Sequence, residues 1–253
     1  MLTPLLDWRG YCLRAIDKDL GSVEDFYFDD RTWTVRYLVA DTGNWLPGRK
    51  VLIGPETVQS ISPEDEAISV NLTSRAVEDS PGIETNLPFS LQKERELRLF
   101  FEWREYWNDE VFIQPAAAGG MIPEPKADAR PSTAVMDPQV GSQTNPYLRS
   151  ANEVEGYTMR ASDEDLGEVS GFIVQNETWR IRYLILETGN WLIGKKFLFS
   201  PRWVSGIDWS HRIVNLEITR KIFEGAPVYT PGEPIAVEDE QRLYDYYKKR
   251  PDW

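Results

Sequence analysis

The most constraining feature of this sequence is that a long part of it occurs twice, 146 positions apart. The repeated motifs are Leu20-Gly21, Trp33 to Leu38 and Thr42-Gly43-Asn44-Trp45 in the first copy, and Leu166-Gly167, Trp179 to Leu184 and Thr188-Gly189-Asn190-Trp191 in the second. The offset holds without a gap from Gly10/Gly156 to Trp107/Trp253, and about a third of the aligned residues are identical. Such a repeat predicts two copies of one fold that arose by internal duplication.

The segment between the two copies has the composition of a linker. Residues 108–155 are rich in Pro, Ala, Gly and Ser and contain few periodic apolar residues. Chains of this composition connect domains without forming a core of their own. We therefore predict a first domain at 1–107, a linker at 108–155 and a second domain at 156–253.

Each copy consists mostly of short apolar runs separated by turn residues. In the first copy Tyr11 to Ile16, Ser22 to Phe28 and Trp33 to Ala40 are typical of strands, and three shorter runs follow them. The alternation in the third run places Trp33, Val35, Tyr37 and Val39 on one face. Ser90 to Trp107 lacks Gly and Pro and has apolar residues at helical spacing. The predicted fold is mainly β, with two small antiparallel β-barrels, each followed by a C-terminal α-helix.

The many aromatic residues of the two helical segments need a buried environment. We predict that the two copies associate about a pseudo-two-fold axis and bury these aromatic faces near the shared interface. The chain would then be an intramolecular pseudo-dimer, built like a fused homodimer.

Charge and hydropathy exclude several classes of function. The chain has 253 residues with 28 Lys and Arg against 41 Asp and Glu, a formal net charge of −13. An acidic field repels the phosphate groups that supply most of the affinity for nucleic acid, so no nucleic-acid partner is predicted. No apolar run reaches the roughly 18 residues of a membrane span, and the N-terminus lacks a signal-peptide pattern. We therefore predict a cytoplasmic protein without membrane insertion.

Residues for cofactor binding or catalysis are sparse. One cysteine, Cys12, and one histidine, His211, do not provide the ligands of a structural zinc, an iron–sulfur cluster or attached haem, so no metal and no cofactor are predicted. Carboxylates are numerous, and Asp17/Asp19 recurs as Asp163/Asp165 before a Leu-Gly pair. We interpret these acids as turn residues that accept backbone N–H bonds.

The repeated motif around Thr-Gly-Asn-Trp resembles the PRC-barrel domain. The resemblance rests on Leu20-Gly21, Trp33 to Leu38 and Asp41 to Ile53, and on Glu187 to Leu198, where Ile193 replaces Pro47. This family is named for the cytoplasmic domain of the photosynthetic reaction centre H subunit and also includes the C-terminal domain of a ribosome-maturation factor. The resemblance implies a small antiparallel β-barrel and a role in protein–protein assembly, with no shared active site.

Six residues of the repeated motif are candidates for partner binding: Asn44, Trp45, Asn190, Trp191, Arg36 and Arg182. The tryptophans offer large apolar anchors with the asparagines beside them. Alternatively, each tryptophan folds back over the barrel mouth. For Arg36 and Arg182, an ion pair with Asp41, Glu187 or a neighbouring acidic turn competes with ligand binding.

The sequence thus predicts a non-enzymatic protein-binding or scaffold module. One alternative, suggested by the family resemblance, is an accessory or assembly factor for a photosynthetic or other membrane electron-transport complex. Another is a carboxylate-dependent enzyme, which requires a deep pocket lined by acids with raised pKa values.

Overall fold

The computed structural model describes residues 1–43, 46, 49–81, 91–104, 106, 147–189 and 194–250. Within them the chain is mainly β and forms two sets of elements that begin 146 residues apart. The first set is β1 (Leu2–Pro4), β2 (Cys12–Arg14), β3 (Asp19–Asp29), β4 (Thr34–Asp41), β5 (Lys50–Ile53), β6 (Val58–Ser62), β7 (Ala67–Val70), α1 (Ser74–Asp79) and α2 (Leu91–Phe100). The second set is β8 (Leu148–Ser150), α3 (Ala151–Val154), β9 (Thr158–Arg160), β10 (Asp165–Gln175), β11 (Arg180–Thr188), β12 (Lys196–Phe199), β13 (Val204–Asp208), β14 (Ile213–Leu216), α4 (Arg220–Glu224), β15 (Val228–Tyr229) and α5 (Val237–Tyr247).

A long antiparallel hairpin forms the centre of each repeat, β3 with β4 and β10 with β11. The glycine of the Leu-Gly motif allows the two strands of each hairpin to approach closely at the end opposite the turn. A side chain at Gly21 would place its Cβ 1.9 Å from the carbonyl oxygen of Asp41, and one at Gly167 would place it 2.0 Å from that of Glu187. Only glycine permits this approach of two backbones.

The two repeats exchange their first strands. β1 precedes the first repeat but pairs with β10 of the second, with Leu2 opposite Gln175. Reciprocally, β8 pairs with β3 of the first repeat, with Leu148 opposite Asp29. The registers of the two pairings are equivalent under the 146-residue offset. β8 and α3 lie in the segment 108–155, which the composition predicted to be a linker.

The turns that lead into β4 and β11 meet at the centre of the molecule. Val35 N–H donates to the carbonyl oxygen of Trp179 at 2.8 Å, and Ile181 N–H donates to that of Trp33 at 2.7 Å. Trp33 and Trp179 have φ of 53° and 57°, a left-handed conformation that is costly for bulky residues. These reciprocal bonds link the hairpins into one fifteen-stranded sheet within the described residues.

The apolar core continues from one repeat to the other. Phe28 and Phe172 have their ring centroids 5.7 Å apart, and Trp8 contacts Trp179 edge-on at 5.5 Å. The predicted common face of Trp33, Val35, Tyr37 and Val39 is divided in the structure, because Val35 joins the main core and Tyr37 and Val39 do not. Tyr37 and Val39 form a second cluster with residues of α2, whereas Leu38 and Ala40 join the main core.

Closed barrels are not seen in the described part of the chain. The sheet order runs from β13 to β6 without a pairing between these two end strands. In the first repeat the sheet is interrupted between β5 and β6, at the 3₁₀ turn Pro55–Thr57. In the second repeat it is interrupted between β12 and β13, at the 3₁₀ turn Pro201–Trp203. Both turns begin with proline.

The two longest helices are anchored on their own repeats. Tyr37 of β4 bonds to Glu94 of α2, and Tyr183 of β11 bonds to Glu240 of α5. These bonds hold each helix on its own repeat, but Leu97 of α2 also belongs to one apolar cluster with Leu148 of β8. Packing of the helices at the shared interface stays a prediction. The described helices include none that is long and apolar enough to cross a membrane.

Candidate functional site: arginines beneath the closing helices

Four of the six candidate residues, Asn44, Trp45, Asn190 and Trp191, lie outside the described residues. The bases of their loops are described, and both are closed by the threonine of the motif. Thr42 Oγ1 donates to the carbonyl oxygen of Arg49 at 2.6 Å and to that of Leu46 at 2.9 Å. Thr188 Oγ1 donates to the carbonyl oxygen of Lys195 at 3.1 Å. The threonine shared by the two repeats therefore brings the two ends of each loop together.

The first loop is also clamped to the rest of its repeat. Nη1 of Arg49 donates to the carbonyl oxygen of Glu78 at 2.8 Å, and Nη2 bonds to Ser80. These acceptors lie at the C-terminal end of α1, where helix carbonyl groups lack partners within the helix. A cationic donor at this position satisfies them.

Arg182 lies beneath α5 in the second repeat. Its Nη2 lies 3.3 Å from Glu240 Oε1, and both side chains are buried. The same oxygen accepts a hydrogen bond from Tyr183 Oη at 2.6 Å. The sequence predicted Glu187 or a neighbouring acidic turn as the partner of Arg182, whereas the ion pair seen is with Glu240 of α5, and Glu187 pairs with Lys196 at 3.1 Å.

The equivalent carboxylate of the first repeat, Glu94, has a different set of partners. Its Oε1 accepts hydrogen bonds from Tyr37 at 2.8 Å and from Tyr106 at 2.6 Å. The Tyr37 hydroxyl in turn accepts a hydrogen bond from Arg98 Nε at 2.7 Å. Glu94 is fully buried, so these bonds replace the water that an ionised carboxylate requires.

Arg36 occupies the place of Arg182 but lacks an ionic partner among the described residues. Its guanidinium lies 4.0 Å above the ring of Tyr106, and Nη2 donates to Thr32 Oγ1 at 3.1 Å. Its Nε is buried without a hydrogen-bond partner. The predicted ion pair with Asp41 is not among the ion pairs of the described residues, and Asp41 Oδ1 accepts the N–H of Gly43 at 2.9 Å.

Burial determines the protonation of these groups. It raises the pKa of Tyr37, Tyr106 and Tyr183, and the neighbouring Glu94 or Glu240 carboxylates raise it further. The three phenols therefore stay neutral donors. Burial lowers the pKa of Arg36 from its usual value, because little negative charge compensates its own.

A cavity of about 670 Å³ lies beside Arg36. Residues of both repeats line it, including Arg36, Glu56, Arg98 and Tyr106 from the first, and Asn176 and Trp179 from the second. Glu56 is committed to Arg98 at 3.2 Å. The cavity therefore combines a guanidinium that has no ionic partner in the described part of the chain with polar and aromatic walls at the junction of the repeats.

Residues 7–77 and 148–222 each match the family model of the PRC-barrel domain. The chain belongs to the PRC-barrel family. The second matched segment begins at Leu148, the first residue of β8, so it includes the strand that docks on the first repeat. Comparison with curated proteins gives no significant match.

The acids shared by the two PRC-barrel repeats have structural partners. Asp17 accepts bonds from the backbone and the hydroxyl of Ser74 at 2.7 Å each, and Asp163 accepts the backbone N–H of Arg220 at 3.0 Å. They cap the first turns of α1 and α4. Asp165 pairs with Arg160 at 2.5 Å, which holds its pKa below the usual range. Asp17 and Asp163 thus accept backbone N–H groups as predicted, although of distant helices. Asp19 and Asp165 instead begin strands β3 and β10 and pair with Arg14 and Arg160.

Cys12 and His211 differ in their surroundings. Cys12 is half-buried, and burial together with the nearby Asp19 raises the pKa of its thiol, which makes it a poor nucleophile. His211 is exposed and lies 2.8 Å from Asp208. The described parts of the PRC-barrel repeats hold no group of three or more metal-ligating side chains.

Proposed function

We propose that this protein is a non-enzymatic protein-binding module in which two duplicated PRC-barrel repeats act as a single scaffold. The reciprocal strand exchange carries the proposal. Because β1 lies on β10 and β8 lies on β3, each repeat is completed by a segment of the other. The repeats thus hold a defined orientation, as a scaffold for a partner requires.

The exchange, the joined hairpins and the continuous core support an intramolecular pseudo-dimer. The Val35–Trp179 and Ile181–Trp33 hydrogen bonds are related by the repeat offset, as two-fold symmetry demands. We infer that each repeat follows the barrel architecture of its family, opened at the 3₁₀ turn after β5 or β12. We also propose that the protein acts in the cytoplasm.

We assign partner contact to the two Thr-Gly-Asn-Trp loops. Their bases are closed by Thr42 and Thr188, and closure lowers the entropy that a loop loses on binding. Trp45 and Trp191 would provide apolar anchors, the residue type that dominates interface energetics. Two equivalent loops on one scaffold would also favour a partner with two binding sites.

An affinity capture experiment tests this proposal. The full chain is immobilised and exposed to native lysate beside a Trp45→Ala/Trp191→Ala variant, and captured proteins are quantified by mass spectrometry. The matched control is Leu99→Ala/Val237→Ala, which also truncates two apolar side chains, 70% and 64% exposed, on the helices. We expect one stoichiometric partner that the loop variant loses and the control retains.

The opposite result has a clear meaning. A partner captured equally by the loop variant and the wild type would refute the assignment to these loops. Failure of all three proteins to retain any stoichiometric partner, at matched fold by circular dichroism, would contradict the function as a binding module.

A further inference from the structure

We propose that the cavity between the two repeats is a binding site for a small oxyanion, a carboxylate or phosphate group, with Arg36 as its principal cation. This proposal goes beyond protein binding and does not depend on it. It starts from the fact that equivalent arginines of the repeats have different partners. Arg182 has its carboxylate in Glu240, and Arg36 has none among the described residues.

The reason for the difference lies in one side chain. Tyr106 donates to Glu94 Oε1 and covers one face of the Arg36 guanidinium with its ring. Glu94 is thus satisfied by phenols, while Arg36 is held half-buried by a ring that supplies only weak negative potential. Partial desolvation of a cation without a counter-ion is unfavourable, and a bound anion would offset it.

The other charges near Arg36 are already paired. Asp29, the acidic group with the largest influence on it, is held by Arg31 at 2.8 Å. Glu56 pairs with Arg98, and Glu177 pairs with the N-terminal amine at 2.5 Å. Although the whole chain carries a net charge of −13, the cavity lining holds three arginines, Arg36, Arg98 and Arg104, against two glutamates, Glu56 and Glu177.

A polar side chain of the other repeat, Asn176, lines the same cavity. Asn176 Oδ1 is buried without a hydrogen-bond partner. Arg36 Nε and Asn176 Oδ1 are themselves closed to solvent, so a ligand in the cavity would meet the other polar atoms of these two side chains. The Nη groups of Arg36 and the Nδ2 group of Asn176 are donors, which suits an anion.

The size of the cavity fits a small organic molecule. Its volume of about 670 Å³ falls within the range of ligand pockets and exceeds what a single inorganic ion fills. Trp179 provides an apolar wall. Arginine forms bidentate pairs with planar carboxylates and with phosphates, which is the recognition chemistry proposed here.

Isothermal titration of the full chain tests the site with two probes, inorganic phosphate and citrate, each at constant ionic strength against chloride. Three variants accompany the wild type. Arg36→Met removes the cation without breaking an ion pair, so the variant is expected to fold. Ser60→Trp places a large side chain on an exposed wall position of the cavity and leaves Arg36 intact. Arg14→Gln is the control, because it removes an exposed arginine, paired with Asp19 at 3.2 Å, that does not line the cavity.

We expect saturable binding of at least one probe, and the stronger one identifies a phosphate-bearing or a carboxylate-bearing ligand. Loss of a charge-assisted pair should weaken binding about tenfold or more in Arg36→Met. Ser60→Trp should weaken it as well, and Arg14→Gln should not. Bound probe should also raise the melting temperature of the wild type and not that of Arg36→Met.

Two results would overturn the proposal. One is the absence of saturable binding of both probes to the wild type. The other is equal affinity in the wild type and Ser60→Trp, which shows an adventitious ion only and remains decisive if Arg36→Met does not fold.

Discussion

The junction between β8 and the first repeat depends on one buried carboxylate, and its removal should destabilise the whole chain. Asp25 accepts hydrogen bonds from Ser150 Oγ at 2.5 Å and from the backbone N–H of Asn152 at 3.0 Å. Ser150 is also the N-cap of α3, where its Oγ accepts the N–H of Glu153 at 3.0 Å. Asp25 thus fixes the start of a helix that belongs to the other repeat.

The magnitude for Asp25→Ala follows from the groups left behind. The Ser150 hydroxyl and the Asn152 N–H would lose their acceptor, at about 1–3 kcal/mol each. Part of this is offset, because burial of the ionised carboxylate is itself unfavourable and raises the pKa of Asp25. We expect a net loss of about 2–3 kcal/mol in the free energy of unfolding.

Urea denaturation of the full chain measures this loss, and hydrogen exchange locates it. Backbone amides of 148–152 should exchange faster in Asp25→Ala, while those of β14 follow only the global change. Asp65→Ala is the control, since that exposed carboxylate bonds only within its own turn, to Ser62 at 2.9 Å, and should cost less than about 0.5 kcal/mol. A loss below about 0.5 kcal/mol in Asp25→Ala, or unchanged exchange at 148–152, would refute this account of the junction.

Three further predictions concern stability. Tyr37→Phe removes the hydroxyl that Glu94 and Arg98 share, so it should lower the free energy of unfolding, measured by urea denaturation, by about 1–3 kcal/mol. An equal loss in Tyr27→Phe would contradict this explanation. Gly21→Ala places a Cβ 1.9 Å from a facing carbonyl oxygen and should prevent folding or lower the melting temperature strongly, while Gly206→Ala, with no atom within 4 Å of its Cβ, should fold normally. Burial raises the pKa of Asp25, so the folded state binds the proton of this carboxyl more tightly than the unfolded state. The wild type should therefore gain free energy of unfolding relative to Asp25→Asn as the pH falls towards the ordinary aspartate pKa. A difference in unfolding free energy between the two proteins that does not change with pH would exclude this linkage.

The sequence predicted the hairpins well because their signal is local. Apolar runs from Ser22 to Phe28 and from Trp33 to Ala40 fall within or close to β3 and β4, and the repeat transfers the same assignment to the second copy. The segment predicted as helical at 90–107 contains α2 at Leu91–Phe100. Periodicity and turn residues carry such information without knowledge of the partners.

The strand exchange was not predictable from the same signals. The aligned segments 2–9 and 148–155 share one identical residue, Leu2 with Leu148, so similarity between the copies is recognisable only from Gly10 onward. Their strands are three residues long, and their positions depend on tertiary pairing. Composition alone therefore placed 148–155 in the linker.

The environment of Arg36 illustrates a second limit. The motif around it is the same in both repeats, and the sequence therefore assigned Arg36 and Arg182 one role. Their surroundings differ through residues far along the chain, because Tyr106 lies on Arg36 and bonds to Glu94, and because Arg98 stands where the second repeat has Tyr244. A side chain's charge is readable from the sequence, but the loss of its counter-ion is a property of the packed structure.

The two exchange junctions differ in polarity, and this difference specifies which segment docks on which repeat. Where the first repeat has Asp25, the second has Gly171, and the position of Ser150 is taken by Pro4 in β1. Leu6 lies within 3.8 Å of the Cβ position at Gly171 and makes that junction apolar. If β1 docked on its own repeat, it would bring Pro4, which has no donor, to the buried Asp25 carboxylate, at a cost of several kcal/mol. Divergence at these positions thus selects the exchanged arrangement over the pairing of each segment with its own repeat.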